Sequence, residues 1–458
     1  MVTGNQRKEL KYVNHNAILR QIQQVASLTF VIAICSSSLG LLTSSVLAHW
    51  LGPRNFGMYS YIMALTGLAA VVSSLGFPTI VLRYSAASQA TSNWGAVKGL
   101  LLYISALTLG TSVCAAILIV TVGPQIGHFG RLAGFHTDLI LAAILMVLGI
   151  QSGLLVNILQ GLNKIVASVI PGALASPLAL IVLLMVLRLK AATIDVPVIF
   201  TCQVMLTMAL IVAQVIQVIR AAPAEFLRST PEVQPLRWLA SALPYLLNSV
   251  MITINLRTDI FMLGILKGVA YAGIYNAASK GALLLVVPLG ALVTASRPTI
   301  AKLYAQGDTA RLQSVMTMTS RLAAVISLFG ALILIVFGKT LLRILFGPAF
   351  AAGASALVIL SLARVINAGT GSLQPFLSMT NKSRALGIGL GSEACLNVGL
   401  NYLLIPVLGM NGSALATGGS MAIVNVALAI WTYRKSGYDV SLLGRPRFRP
   451  RTSVQELG

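Results

Sequence analysis

Five ionisable side chains fall deep inside apolar runs of this sequence: Arg257, Asp259, Lys280, Arg364 and Glu393. A charge at mid-bilayer depth costs several kcal/mol unless it is paired or lines a wet cavity, so each marks a candidate functional site. Depth arithmetic pairs four of them. Asp259 lies seven residues before the end of its run and Lys280 seven after the start of the next. At ~1.5 Å per residue both sit ~10 Å from the same face of the membrane, on antiparallel neighbours. Arg364 lies ~18 Å from that face and Glu393 ~10 Å from the opposite one, depths that nearly coincide in a ~30 Å core. The spacing predicts two ion pairs, Asp259–Lys280 and Arg364–Glu393. Each serves equally as a static tie between helices or as an exchangeable coupling pair.

Arg257 is left over. A guanidinium without its own carboxylate calls for an anion, and phosphate oxygens match its donor fork. The same run carries Asn248, Asn255 and Asp259 at i, i+7 and i+11, flanked by Ser249, Thr253 and Arg257, so one helix face is built to meet water or a polar ligand. Arg257, Lys280, Arg364 and Asn255 are therefore the candidate substrate-binding residues, and Asp259 and Glu393 the coupling or ion-pair residues. Arg83 ends the second apolar run and is either a snorkelling interfacial anchor or a cavity-edge residue.

No enzyme constellation emerges. His128, His136 and Asp138 share one loop, but His-x7-His is not a helical metal-ligand spacing. Gly161-Leu-Asn-Lys164 lacks the glycine-rich lead and the Ser/Thr of a phosphate loop. Cys35, Cys114, Cys202 and Cys395 all lie in apolar runs and read as reduced, packed side chains. No metal or cofactor is implied.

The elements that must position these residues are set by composition. Of 458 residues, 57% are apolar and 9% charged, and the mean hydropathy is +0.88, which excludes a soluble enzyme, a disulfide scaffold and a disordered hub. Apolar runs long enough to cross a bilayer fall at 26–50, 58–82, 98–122, 138–160, 165–187, 196–219, 240–266, 273–296, 320–338, 352–376, 386–408 and 412–434. The formal charge of +22 would suggest nucleic acid in a soluble chain. Here 22 of the 32 Lys and Arg lie on the side of the two termini and 7 on the other. That asymmetry places both ends in the cytoplasm, facing anionic lipid, with no nucleic-acid partner expected.

The segment 220–239, with Pro223, Pro231 and Pro235, reads as a cytoplasmic linker between a six-helix lobe at 1–219 and another at 240–434. Residues 435–458 read as a basic cytoplasmic tail, of which 441–458 is expected to be disordered against the inner leaflet. The two lobes repeat one another. Gly52-x4-Gly57-x-Tyr59 is matched by Gly268-x4-Gly273-x-Tyr275, Pro78-Thr-Ile80 by Pro298-Thr-Ile300 with Tyr84 and Tyr304 following, and Asn163-Lys164 by Asn381-Lys382, at displacements of 216, 220 and 218. Six spans per repeat give both lobes the same orientation, as in parallel-repeat transporters. The expected fold is an all-α integral membrane protein of twelve transmembrane helices, in two pseudo-symmetric six-helix bundles around a central cavity.

Leu-Gly-Pro-Arg-Asn-Phe-Gly-Met-Tyr-Ser at 51–60, Thr258-Asp259 followed by Leu-Lys-Gly-Val-Ala-Tyr-Ala-Gly-Ile-Tyr-Asn-Ala-Ala at 266–278, Leu-Phe-Gly-Pro-Ala-Phe at 345–350 and Leu-Ile-Pro-Val-Leu-Gly-Met-Asn-Gly-Ser-Ala at 404–414 resemble the polysaccharide biosynthesis, or O-antigen, flippases. These belong to the multidrug/oligosaccharidyl-lipid/polysaccharide exporter superfamily. The resemblance implies a multi-pass protein of the bacterial inner membrane that carries an undecaprenyl-diphosphate-linked oligosaccharide from inner to outer leaflet by alternating access. It implies a monomer whose partners are that lipid-linked substrate, anionic membrane lipid, and the glycosyltransferases and polymerase of the same process. Arg257, Lys280 and Arg364 are the positions that would receive the diphosphate. The rivals are a cation-coupled drug exporter, which would want carboxylates inside the first lobe's spans, and a membrane glycosyltransferase or polymerase, which would want a large outer loop.

Overall fold

The computed structural model describes residues 4–91, 94–129, 135–190, 193–380 and 382–444. Asn381 of the Asn-Lys match, and Arg445, Arg447, Arg449 and Arg451 of the expected tail, lie outside the described residues. Among the described residues every regular element is helical. The first half contains α1 (Gly4–Ser73), α2 (Phe77–Thr91), α3 (Trp94–Phe129), α4 (His136–Gly161), α5 (Ile165–Ile170), a π-helical turn at Pro171–Ala175, α6 (Ser176–Leu189) and α7 (Val196–Ala221). The second half contains α8 (Ala224–Arg228), α9 (Pro235–Leu266), α10 (Val269–Leu283), α11 (Val286–Ala305), α12 (Thr309–Phe346), a 3-10 turn at Pro348–Gly353, α13 (Ala354–Ala368), α14 (Leu373–Met379), α15 (Ser383–Leu408) and α16 (Met410–Ser436).

Length decides how often the chain crosses. Ten described helices are long and apolar enough to span a bilayer, and the bent pair α10 and α11 makes an eleventh. The apolar part of α1, Val31–Ser73, is 43 residues. At ~1.5 Å per residue that is ~64 Å, twice the ~30 Å hydrocarbon core. Gly52, with φ 68° and ψ 176°, is non-helical and divides α1 in two. Twelve crossings result, one for each apolar run. Their outward faces expose Leu102, Ile117, Val182, Phe329, Val336 and Val407, side chains that lipid accommodates and water would not.

Several spans expected to be continuous are broken. The run at 58–82 stops at Ser73, turns through Leu75 (φ 51°) and Gly76 (φ 74°), and restarts as α2. A Cβ on Gly76 would lie 2.5 Å from the Leu246 nitrogen and 2.6 Å from the Ala242 carbonyl oxygen, so α9 packs directly on bare backbone there. The run at 273–296 bends by 43° between α10 and α11. The run at 352–376 unwinds at Gly369–Ser372, between α13 and α14.

The chain forms two compact units: Met1–Leu51, Ala69–Gln125 and Leu132–Leu247 in one, and Gly52–Leu68, Ile126–Arg131 and Asn248–Gly458 in the other. This division differs from the boundaries at 219 and 240 drawn from sequence. Segment 220–239 is packed into the first unit, because Phe226 and Trp238 join the core of Phe77, Ile80, Trp94, Leu100 and Ile104. The Glu232 N–H donates to the Gly95 carbonyl at 3.0 Å, and Lys98 Nζ donates to the Ser229 carbonyl at 2.9 Å. In the second unit Ile300, Leu312, Met316, Phe376 and Val440 form the corresponding core, so the matched Ile80 and Ile300 are both fully buried.

Gly52–Leu68 joins the second unit because its motif docks on the repeated one. Gly52 and Gly268 share a positive φ with an extended ψ (68° and 176°, 101° and 160°). A Cβ on Gly57 would fall 1.8 Å from the Val269 carbonyl oxygen, and one on Gly273 would fall 2.5 Å from the Pro53 carbonyl oxygen. Val269 is the repeat equivalent of Pro53, and Gly273 that of Gly57. The contact is therefore reciprocal, as a two-fold between like segments requires. Asn276 Nδ2 donates to Ser60 Oγ at 2.7 Å, and these too are equivalent positions.

The expected tail does not begin at 435. After Gly437 in the left-handed region (φ 74°), residues 438–444 strap across the second unit. Gln313 exchanges hydrogen bonds with the Asp439 backbone, Ser320 Oγ and Ser372 Oγ both donate to the Val440 carbonyl at 2.8 Å, and Arg321 Nε donates to the Leu442 carbonyl at 3.0 Å. The Leu442 N–H donates to Gly369 at 2.8 Å, satisfying a carbonyl at the break in the tenth span.

Candidate functional site

Asp259 sits on α9, is 6% exposed, and accepts four hydrogen bonds. Its Oδ2 accepts from Tyr275 Oη at 2.8 Å and from Thr417 Oγ1; its Oδ1 accepts from Asn397 Nδ2 at 3.1 Å and Asn401 Nδ2 at 2.8 Å. Asn401 Oδ1 in turn accepts from Ser413 Oγ at 2.8 Å. Asn397 and Asn401 are i and i+4 on α15, and Ser413 and Thr417 are i and i+4 on α16, so each helix presents one polar stripe to the carboxylate. The donors are all neutral.

The expected Asp259–Lys280 pair is therefore absent. Equal depth is necessary for an ion pair but says nothing of azimuth. Lys280 follows Tyr275 by five residues, a rotation of ~140° around α10. With Tyr275 turned toward Asp259, Lys280 is turned away. It lies instead close enough to Arg257 for the two charges to repel. Arg257 is two residues from Asp259, ~200° around α9, so it faces the other side of the helix. Its side chain lies beside Gly67, where an added Cβ would stand 3.6 Å from Nε. Both cations are half-buried, and among the described residues neither has a carboxylate within 4.0 Å, the ion pair that does form being Arg311–Asp308. The sequence arithmetic left one uncompensated charge here; the structure leaves two.

Arg364 and Glu393 also fail to form the expected pair. α16 packs on both α13 and α15, and its Met421 takes the place beside the guanidinium, with Arg364 Nη1 3.8 Å from Sδ. Arg364 and Glu393 still feel each other's charge at longer range. Asn255 Nδ2 donates to the Leu390 carbonyl at 3.4 Å, while its buried Oδ1 has no hydrogen-bond partner. Arg83 is exposed on α2 in the first unit.

The arrangement thus has two chemically distinct faces on one helix. One side of α9 holds a carboxylate in a cage of hydroxyls and amides that can keep a proton or a small cation. The other side holds Arg257 and Lys280, neither with a carboxylate within 4.0 Å among the described residues, which can hold an anion; Arg364 lies on the side of the cage, within the field of Asp259 and Tyr275. Asn397, Asn401, Ser413 and Thr417 were not singled out from sequence, and Tyr275 was marked only as part of the repeat. The i, i+4 amide pair in an otherwise apolar run was the available signal. The cage has no counterpart in the first repeat, where Asp259 corresponds to Thr43, whose hydroxyl donates to the Leu39 carbonyl of its own helix.

Residues 23–304 match the family described as polysaccharide biosynthesis protein. No curated protein sequence matches. Among solved structures, the chain is similar to an inward-facing multidrug resistance MATE family transporter of the MOP superfamily, with 13% identity over 87% of this chain and 94% of that one and a TM-score of 0.74. It is similar to the lipid II flippase MurJ in an inward closed conformation, with 14% identity over 88% and 87% and a TM-score of 0.66. It is also similar to the MATE multidrug transporter DinF-BH, with 15% identity over 93% and 97% and a TM-score of 0.62. These likenesses establish a shared helical membrane fold.

Proposed function

Because the chain belongs to the polysaccharide biosynthesis protein family, we propose that it is a flippase carrying a polyprenyl-diphosphate-linked oligosaccharide from the inner to the outer leaflet of the bacterial plasma membrane by alternating access, with both termini cytoplasmic. The observation that carries this reading is that Arg257 and Lys280 both lie within membrane spans, half-buried and with no carboxylate within 4.0 Å among the described residues. Two repelling cations inside a membrane span are costly unless an anion joins them, and a diphosphate supplies matching charge and acceptor oxygens. The basic asymmetry of the loops supports a cytoplasmic loading side. Asp259 is the coupling group in this reading. Its hydrogen-bond partners are all neutral and Arg364 acts on it only through its field, so coupling works through its occupancy by a proton or cation rather than through exchange of direct ion pairs. Glu393, facing the field of Arg364, responds to anion arrival.

The Asp259 cage taken by itself favours a second reading, a cation-coupled exporter of small molecules. Arg257 separates the two, since an exporter of cationic drugs has no use for it. Arg257→Ala in a strain whose surface polysaccharide depends on this protein should abolish the polymer while membrane levels stay normal, with lipid-linked sugar accumulating on the cytoplasmic face. Undiminished polymer would refute the flippase reading.

A further inference from the structure

A second cationic site lies at the other end of the C-terminal helices. Phe376, on α14, is fully buried, with Tyr304 edge-on at 6.2 Å and Tyr438 at 5.4 Å. Lys382 Nζ stands 5.3 Å from the centroid of its ring. Lys435, in the last turn of α16, has its Nζ 5.3 Å from the centroid of Trp431. α15 and α16 are packed, sequential helices joined at Gly409, so the start of one and the end of the other come together. The two lysines sense one another: Lys382 is held below the usual lysine range, first by burial and then by the charge of Lys435. Among the described residues neither ammonium has a carboxylate within 4.0 Å.

Topological charge bias alone does not call for this. Basic residues that merely orient a span stay in water, as the exposed Arg384 and Arg434 do. Lys382 is half-buried over a ring whose other neighbours fix it in place, so its charge is held rather than free to swing away. Two like charges close together, Lys382 partly desolvated and neither paired with a carboxylate among the described residues, favour an anion between them. The depth says which anion. Lys382 immediately precedes Ser383, where the eleventh span begins, and Lys435 is one residue from Ser436, where the twelfth ends. Both therefore stand at headgroup level, where the phosphates of lipids are concentrated.

We propose that Lys382 and Lys435, backed by Phe376 and Trp431, form a binding site for the phosphate group of a membrane lipid. The site is separate from the Arg257 cluster and does not depend on what that cluster transports.

Binding to the purified full-length chain in a neutral detergent tests this, with native mass spectrometry counting retained lipid and thermal unfolding as a second readout. Phosphatidylglycerol should be retained and should raise the unfolding midpoint, whereas phosphatidylcholine should do neither. Lys382→Gln with Lys435→Gln should weaken phosphatidylglycerol binding by about tenfold or more, from the loss of two near-surface lysines. Arg384→Gln with Arg434→Gln removes the same charge but should change binding by less than about twofold. Lys382→Arg with Lys435→Arg should retain binding, and if the double glutamine variant fails to fold, Lys435→Gln alone, at an exposed position, carries the test. Equal losses from the lysine and arginine pairs would reduce the effect to a diffuse field and overturn the site. So would phosphatidylcholine binding as well as phosphatidylglycerol. Inorganic phosphate at millimolar concentration should not displace the lipid; if it does so completely, the site takes a free anion and the lipid assignment is wrong.

Discussion

Adding one methyl group at Gly57 should open the contact between the repeated motifs. A Cβ there would fall 1.8 Å from the Val269 carbonyl oxygen and 2.9 Å from the Gly273 nitrogen, both backbone atoms that cannot rotate aside. An ordinary contact needs ~3.3 Å, so the segments must part by ~1.5 Å, and overpacking of this kind costs ~1–3 kcal/mol. The same movement would stretch the 2.7 Å bond from Asn276 to Ser60 past hydrogen-bonding range, removing ~1 kcal/mol more. The total of ~2–4 kcal/mol corresponds to a ~30- to ~1000-fold fall in the ratio of closed to open forms, at ~1.36 kcal/mol per factor of ten. Cysteines placed at positions 60 and 276, with Cys35, Cys114, Cys202 and Cys395 replaced, report that population as the rate of cross-linking in membranes. In this background the Asn276–Ser60 bond is already absent, so only the ~1–3 kcal/mol of overpacking remains and Gly57→Ala should slow cross-linking by ~5- to ~150-fold; Gly273→Ala, whose nearest added contact is 2.5 Å, should slow it less. Gly40→Ala, where an added Cβ meets nothing within 4 Å, should have no effect. Cross-linking in Gly57→Ala at the unsubstituted rate would refute the claim that bare backbone contact holds these segments together.

Asp259→Asn keeps the shape of the cage and removes its charge, so transport-dependent surface polymer should be lost while membrane levels remain normal; wild-type polymer in that variant would exclude Asp259 from coupling. Asn401→Leu removes one donor to Asp259 and strands Ser413, and should lower stability by ~1–3 kcal/mol, read as a fall in the thermal midpoint that Asn397→Leu matches only in part. Gln313→Ala removes both hydrogen bonds to the Asp439 backbone, so limited proteolysis should cut within 438–444 several-fold faster, with no change of cleavage rate in the 220–239 segment.

The crossings and the repeat were legible because they rest on local quantities. Apolar length is read residue by residue, and the Gly-x4-Gly-x-Tyr spacing marks places where two backbones touch without side chains between them. The breaks were less legible. The run at 58–82 is apolar enough to read as one span, and Ser73, Ser74, Gly76 and Pro78 within it fix a turn only once α9 is seen lying on Gly76. The 438–444 strap, Tyr-Asp-Val-Ser-Leu-Leu-Gly, is short, follows the last span and looks like the start of a free tail. Only its partners Gln313, Ser320, Arg321 and Ser372, distant in sequence, reveal that it is packed.

The charged residues divide along the same line. That Arg257, Asp259, Lys280, Arg364 and Glu393 lie within membrane spans, and at what depth, follows from residue order alone, because helical rise converts residue number into distance. Which of them meet is a matter of packing. Azimuth around each helix and the choice of neighbouring helix are set over the whole unit, and those placed Tyr275, Asn397, Asn401 and Thr417 around Asp259 while leaving Lys280 beside Arg257. A carboxylate that depth alone would pair with a lysine is held by neutral donors, because four hydrogen bonds from three helices satisfy it without any cation.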